Sequence, residues 1–238
     1  MSALFTTTVV VANVNGVPTQ PLASYRDDFE RIADEQPTIV ASCEAWSARA
    51  RGQARRALDH PPWVHHQPTK PNGKKGTSAM LAWRGDVWRE EDRGVLELHG
   101  SVSNVCDVRE LAWARLKHRE SGRVVLIGST HPAPTATRKG RREINAARAA
   151  RDVANERLHD FLHHRKHPVL VLADWNQHAG FFGKDLHGQP VRYAMNGILG
   201  AMSVDGAFAR VGLTKPRDFN LPKSDHPGFR VRFSLHAR

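Results

Sequence analysis

The sequence has little cysteine and no long apolar segment. Its 238 residues include two cysteines, Cys43 and Cys106, too few for the disulfide framework of a small secreted domain. The longest apolar stretches, such as Val9–Ala12 and Val169–Ala173, are far shorter than the about 20 residues that a membrane-spanning helix needs. No basic segment precedes the first apolar stretch, as one would in a signal peptide. We therefore expect a cytoplasmic protein with reduced thiols and no membrane partner.

Acidic residues are also in the minority. The chain has 35 Lys and Arg against 24 Asp and Glu, a formal net charge of +11, and this balance indicates a polyanionic partner, most commonly nucleic acid. Hydrophobic residues make up 40% of the chain and charged residues 25%, as in ordinary globular proteins. We find no internal repeat, no clear linker and no feature that requires an obligate protein partner. A single domain over residues 1–238 is therefore predicted.

Short apolar runs alternate with amphipathic segments, which is typical of an α/β protein. The predicted strands are Thr6–Val14, Thr38–Cys43, Ser78–Trp83, Val95–His99, Val102–Val108, Leu111–His118, Arg123–Thr130, Val169–Ala173, Val204–Val211 and Phe229–Leu235. Helices are predicted over Pro21–Glu35 and Glu143–His164. Two segments are predicted to be irregular. Arg49–Lys75 is a basic, Pro- and His-rich insertion loop opened by a short helix, and Phe181–Ala201 is Gly-rich.

Polar side chains suited to metal or proton chemistry stand where the predicted strands end. These residues are Asn13 and Asn15 after the first strand, Glu44 after the second, His131 after the strand from Arg123, Asp174 and Asn176 after the strand from Val169, Asp205 opening the next strand, and Asp225 and His226 before the last. Strand ends of an α/β sheet converge on one edge. Several such endings together therefore predict one site at that edge.

These segments resemble, in order and approximate spacing, the motifs of the endonuclease/exonuclease/phosphatase superfamily, which includes pancreatic deoxyribonuclease and the exonuclease III-type abasic endonucleases. The six motifs are Ala12–Gly16, Cys43–Ala45, Ser129–Pro132, Ala173–Asn176, Val204–Phe208 and Ser224–His226. Cys43 stands where Gln is usual and Ala173 where Gly is usual, but neither position is a ligand. The resemblance implies a deoxyribonuclease-like four-layer α/β sandwich, in which two packed mixed β-sheets are flanked by helices. Residues 46–78 match no motif.

The resemblance also implies a role for each of these residues. Glu44 would bind Mg²⁺, for which Mn²⁺ could substitute, with Asn15 and Asp225 as supporting ligands, because a hard cation takes one or two carboxylates together with phosphate oxygens and waters. The implied catalytic residues are Asp174, which orients or deprotonates the attacking water, Asn176, which holds a phosphate oxygen, the pair Asp205 and His226, and His131, which protonates the leaving oxygen or binds the phosphate. If strand geometry persists, Asp174 and Asn176 project to the same face. Asn13 belongs with the phosphate-binding residues.

A basic cluster follows His131 by only a few residues. It consists of Arg138, Lys139, Arg141 and Arg142, and we expect it to contact substrate phosphates, although a charge run is often only a solvated face. The predicted function is divalent-metal-dependent hydrolysis of phosphodiester bonds in nucleic acid, DNA before RNA, by an endo- or exonuclease. Two alternatives stay open: a phosphatase or phosphodiesterase for a small phosphoester, and a non-hydrolytic nucleic-acid-binding protein on the same fold.

Overall fold

Strands and helices alternate along the described part of the chain. The computed structural model describes residues 3–14, 22–44, 48–58, 62–67, 79–103, 105–134, 140–163, 166–176, 185–186, 189–196, 199–204, 209–224 and 227–237. The helices within these ranges are α1 (Leu22–Asp34), α2 (Ala48–Ala57) and α3 (Arg141–His163). The strands are β1 (Ala3–Asn13), β2 (Ile39–Cys43), β3 (Trp63–His66), β4 (Ala79–Arg84), β5 (Trp88–His99), β6 (Arg109–His118), β7 (Val124–Thr130), β8 (Val169–Asp174), β9 (Asp185–Leu186), β10 (Gln189–Asn196), β11 (Leu199–Val204), β12 (Ala209–Leu213), β13 (Arg217–Phe219) and β14 (Gly228–Ala237).

The strands form two seven-stranded sheets. Sheet A has the order β12-β14-β1-β2-β4-β3, with β13 also paired to β14, and sheet B has the order β5-β6-β7-β8-β11-β10-β9. Each sheet contains one parallel pair, β1 with β2 and β7 with β8, while the other pairs are antiparallel. Both sheets are therefore mixed.

The apolar side chains divide between three cores because successive residues of a strand point to opposite faces. Val9 of β1 and Leu170 of β8 lie in the core between the two sheets. Their neighbours face outward: Val10 packs with α1 and α2, and Val171 packs with α3. The layers are thus helices, sheet A, sheet B and helix, so the predicted four-layer sandwich is confirmed.

The two parallel pairs decide where polar residues meet. Helix α1 connects β1 to β2, and α3 connects β7 to β8, so within each pair both strands end at the same edge. Asn13 is opposite Cys43 in sheet A, and Thr130 is opposite Ala173 in sheet B. The carboxyl ends of β1 and β2 therefore lie side by side in sheet A, and those of β7 and β8 lie side by side in sheet B.

Two of the predicted irregular segments contain regular structure. Arg49–Lys75 is not a loop throughout, since it includes α2 and the edge strand β3, which pairs with β4; residues 59–61 and 68–75 lie outside the described ranges. The predicted opening helix is confirmed as α2. Its Ala50 and Ala54 are buried, so the helix has one face packed against the protein. The described residues of Phe181–Ala201 are not irregular either, because they form β9, β10 and the start of β11, and β10 pairs antiparallel with both β9 and β11.

Two predicted strands are also wrong. Val102–Val108 forms a single bridge between Val102 and Cys106, which closes a turn. Val204–Val211 is not one strand, because Val204 ends β11 in sheet B and β12 begins at Ala209 in sheet A.

None of the helices in the described ranges has the length and apolarity required to cross a membrane.

Candidate active site at the carboxyl edge of the sheets

Four polar residues from four strand ends lie together where the two sheets meet. Asn13 is the last residue of β1 and Asp174 the last of β8, while Glu44 follows β2 and His131 follows β7. The Asn13 amide Nδ2 donates to Asp174 Oδ2 at 2.9 Å and to Glu44 Oε1 at 3.2 Å. The His131 Nε2 lies 3.8 Å from Asp174 Oδ2 and 3.9 Å from Glu44 Oε1. One amide thus holds two carboxylates beside one imidazole.

Glu44 is the most exposed of the four residues. Its side chain is 26% exposed, whereas Asn13 and Asp174 are each 1% exposed. Its backbone has φ +64°, a left-handed conformation that costs a residue with a Cβ about 1–2 kcal/mol. The residue stands directly after the end of β2, and its carboxylate is accessible to solvent and to a ligand.

Asp174 is held by donors on two sides. Asn13 donates to its Oδ2, and the backbone N–H of Asn176 donates to its Oδ1 at 2.9 Å. Hydrogen bonds to an ionised carboxylate are stronger than those between neutral groups. These two hydrogen bonds fix the orientation of the Asp174 carboxylate, which is buried.

Asn176 does not continue the strand. Strand geometry, the condition under which Asp174 and Asn176 would project to one face, does not persist, because β8 ends at Asp174 and Asn176 has φ +53°. The two residues form a turn closed by the side chain of Asp174. The Asn176 Nδ2 donates to the carbonyl of Pro132 at 2.9 Å, so Asn176 ties the end of β8 to the segment after β7.

Arg109, which was not among the predicted site residues, lies directly behind His131. It is the first residue of β6, it is 5% exposed, and its NH1 lies 3.2 Å from His131 Nδ1. A single arginine before a short apolar run matches no sequence motif, so the sequence does not mark Arg109 as a site residue. The signal that could have found it is topological, since β6 is antiparallel to β7 and therefore starts beside the end of β7.

Two further contacts join the two halves of the site. The buried Cys43 thiol donates to the carbonyl of Thr130 at 3.4 Å, from sheet A to sheet B. Burial, together with the negative charges of Asp174 and Glu44, strongly raises the pKa of this thiol. The Ser224 hydroxyl donates to the carbonyl of Asn13 at 2.5 Å, which brings the start of the Ser-Asp-His segment to the site.

Several predicted site residues fall outside the described ranges: Asn15, Arg138, Lys139, Asp205, Asp225 and His226. Asp205, expected to open a strand, comes directly after Val204, the last residue of β11. Arg141 and Arg142 are described; they begin α3 and are exposed. Tyr25 of α1 is a buried neighbour that was not predicted, and burial, with a smaller effect of the Glu44 charge, raises its pKa.

The donor chemistry of the site suits a hard cation. Within the described part of the chain, no group of three or more His, Cys, Asp and Glu is placed to hold a metal ion. Glu44 offers one accessible carboxylate, and Mg²⁺ commonly uses one or two carboxylates while it keeps several waters. The Cys43 thiol is buried and bonded to a carbonyl, so the site offers oxygen donors rather than sulfur. The residues present therefore fit Mg²⁺ or Mn²⁺ better than zinc.

Comparison with known proteins finds similarity in structure rather than in sequence. No protein-family model and no curated protein matches the chain. An endonuclease/exonuclease/phosphatase from Bacteroides vulgatus superposes with a TM-score of 0.70 at 14% identity, over 98% of this chain and 100% of that one. D. rerio TDP2 complexed with a single-strand DNA product gives 0.70 at 13% identity, over 96% and 98%. The mannosyl-6-phosphatase of Bacteroides thetaiotaomicron gives 0.60 at 16% identity, over 97% and 99%.

Proposed function

We propose that this chain, which has the endonuclease/exonuclease/phosphatase fold, is a divalent-metal-dependent phosphodiesterase acting on nucleic acid, with DNA as the first substrate to test. The observation that carries the proposal is the cluster of Asn13, Glu44, His131 and Asp174 at one edge of the sandwich. The proteins of similar structure include TDP2 with a DNA product and a sugar phosphatase. Hydrolysis of a phosphoester is the chemistry that these two have in common.

The metal ligands in this proposal are Glu44, Asn15 and Asp225. Glu44 is the accessible carboxylate of the described site, and the other two residues come from the motif resemblance. A divalent cation bound there would polarise a phosphoryl oxygen and stabilise the charge that develops on it.

The proposed chemistry of the chain itself centres on Asp174. Its buried carboxylate, fixed by Asn13 and by the N–H of Asn176, orients the attacking water and accepts a proton from it at a carboxylate oxygen. Asn13 keeps the carboxylates of Asp174 and Glu44 at a fixed separation through its two hydrogen bonds. His226, oriented by Asp205, completes the set as a phosphate-binding or proton-transferring group.

Charge favours a polyanionic substrate over a small one. Helix α2 carries four arginines and no acidic residue, and in the described ranges neither Arg55 nor Arg56 forms an ion pair. Helix α1 differs, since its Arg26 and Arg31 pair with Glu30 and Glu35. Helices α2 and α3 both begin shortly after strands that end at the site. We expect the arginines of both helices to contact the phosphates of a long substrate.

Incubation of supercoiled plasmid with the protein and Mg²⁺, with and without a chelator, tests the proposal. We expect nicking or degradation that the chelator abolishes and that Glu44→Gln lacks. A single-stranded RNA run in parallel decides between DNA and RNA. A mobility shift without cleavage would instead indicate a non-hydrolytic binding protein, and hydrolysis of only small phosphoesters would indicate the phosphatase alternative.

A further inference from the structure

The two ring nitrogens of His131 lie in opposite environments. Nδ1 is 3.2 Å from the Arg109 NH1, and Nε2 faces the Oδ2 of Asp174 and the Oε1 of Glu44 at 3.8 and 3.9 Å. Both partners of the first contact are buried, with His131 4% and Arg109 5% exposed. The ring therefore stands between a cation on one side and two carboxylates on the other.

The chemistry of the guanidinium group decides which nitrogen carries the proton. Arginine has five N–H donors and no acceptor, so Nδ1 of His131 must accept the hydrogen bond and carries no hydrogen. A neutral imidazole without a hydrogen on Nδ1 carries it on Nε2. We infer that Arg109 is a positioning residue that fixes His131 as the Nε2–H tautomer and directs this N–H toward Asp174 and Glu44.

Strand pairing places Arg109 beside His131. Because β6 and β7 are antiparallel, with Leu111 opposite Thr130, the first residue of β6 lies beside the residue that follows β7. On the other side, Arg109 is opposite His99 of β5. Burial chiefly lowers the pKa of His99, and the charge of Arg109 lowers it further. A buried guanidinium thus stands at the edge of sheet B between two imidazoles.

The consequence for the reaction rests on the proposed function. A neutral His131 donates a hydrogen bond from Nε2 to a phosphoryl or leaving oxygen, and the proton stays on the ring, because its transfer would leave an imidazolate anion. A hydrogen on Nδ1 would point at the N–H groups of Arg109, so the contact between the two side chains favours a bare Nδ1. His131 therefore binds the phosphate, and the alternative in which it protonates the leaving oxygen is set aside.

The tautomer can be measured without any substrate. In protein labelled with ¹⁵N-histidine, we expect the wild-type His131 signals, assigned by their disappearance in His131→Gln, to show a protonated Nε2 and a bare Nδ1. Arg109→Met should give a mixture of tautomers, and Arg109→Lys should restore much of the wild-type pattern. Arg115→Met is the matched control, because Arg115 lies on the same strand, is half exposed and pairs with Glu91; it should change nothing.

Two outcomes would overturn the inference. One is a protonated Nδ1 of His131 in the wild type, a result that does not need Arg109→Met to fold and does not depend on the enzyme being a nuclease. The other is an unchanged His131 tautomer in Arg109→Met. As a kinetic readout, turnover of a small phosphodiester by Arg109→Met should show kcat reduced about tenfold or more with little change in KM. A raised KM with unchanged kcat would make Arg109 a substrate-binding residue instead.

Discussion

The two sheets contribute to the candidate site in different ways. Sheet A supplies Asn13 and Glu44 from the ends of β1 and β2, and Glu44 is 26% exposed. Sheet B supplies His131 and Asp174 from β7 and β8, with exposures of 4% and 1%, together with the buried Arg109. The sheet B half is held by hydrogen bonds within the protein, one of which the Asn13 amide of sheet A donates to Asp174. The sheet A half presents a carboxylate that solvent can reach, as a hydrated cation requires.

The residues after β2 and β8 both have a positive φ, but they differ in how well their side chains tolerate it. Asn176, after β8, has a positive φ that asparagine tolerates well, and the turn is closed by a hydrogen bond to Asp174. Glu44, after β2, has a positive φ that glutamate adopts at a cost. Backbone strain of this kind persists where the surrounding structure enforces it, and it is concentrated at functional sites. Strain and accessibility therefore coincide at Glu44.

The largest effect is expected from Glu44→Gln. Loss of the charge should reduce Mg²⁺-dependent cleavage at least ~10²-fold at modest Mg²⁺, because the accessible carboxylate of sheet A is the proposed metal ligand. The free energy of unfolding should stay close to that of the wild type, since glutamine has the same shape and the same cost at φ +64°. Turnover as a function of Mg²⁺ and urea unfolding measure the two effects. Near-normal turnover would remove Glu44 from the site.

Glu44→Gly separates strain from chemistry at the same position. Glycine removes a strain of about 1–2 kcal/mol and adds an unfolded-state entropy cost of about 0.4–1 kcal/mol. Because the variant also loses the hydrogen bond from Asn13, worth about 0.5–1.5 kcal/mol, its free energy of unfolding in urea should stay close to that of the wild type while its activity is lost.

A comparable loss of activity, but with a loss of stability, is expected from Asp174→Asn. The rate should fall about 10²-fold, the usual scale for a proton-accepting group. An amide nitrogen in place of one carboxylate oxygen would face a donor, either the Asn13 Nδ2 or the Asn176 N–H. Leaving a buried polar group unsatisfied should cost about 1–3 kcal/mol. Single-turnover kinetics and urea unfolding test this.

The exposed Asp152 of α3 provides the control, and Asp152→Asn should change neither quantity. If Asp174→Asn proved as stable as the wild type, the sheet B half would not depend on these hydrogen bonds. The proposed difference between the two halves would then disappear.

The sequence predicts the interior of the sheets better than the turns at their ends. Apolar runs such as Val169–Ala173 can only be buried, and the motifs locate Glu44, His131 and Asp174 at the strand ends. The sequence left a strand or a turn open at Asn176, and in the structure the turn is accompanied by hydrogen bonds to the side chain of Asp174 and the carbonyl of Pro132. Arg109 was missed because its contact with His131 arises from strand pairing across 22 residues, which no local pattern encodes.

A smaller effect, on binding rather than on chemistry, should show which outer layer contacts the substrate. Two matched double variants compare the layers: Arg55→Ser with Arg56→Ser on α2, and Arg141→Ser with Arg142→Ser on α3. The slope of log affinity against log salt for a DNA duplex should flatten by roughly one unit for each phosphate that the variant no longer neutralises. Turnover of a small phosphodiester and the free energy of unfolding should change little, because exposed charges usually contribute within about ±0.5 kcal/mol.

Each result of that experiment assigns a surface. A flatter slope in one variant only places the nucleic acid on that side of the sandwich, and a flatter slope in both indicates a substrate that spans the site. If neither slope changed, both arginine pairs would be solvated faces. The assignment to nucleic acid would then have less support from the charge distribution.

The smallest effect concerns the link between the two halves. The Cys43 thiol of sheet A donates to the Thr130 carbonyl of sheet B, and burial with the nearby carboxylates raises its pKa. Because the thiolate is the reactive form, iodoacetamide at pH 8 should label the half-buried Cys106 and leave Cys43 unmodified. Mass spectrometry of the intact protein should find one label in the native state and two in denaturant.

The rate at which Cys43 is labelled reports how often the two sheets separate at this edge. If that rate exceeded the rate allowed by global unfolding, the two sheets would separate locally at this edge.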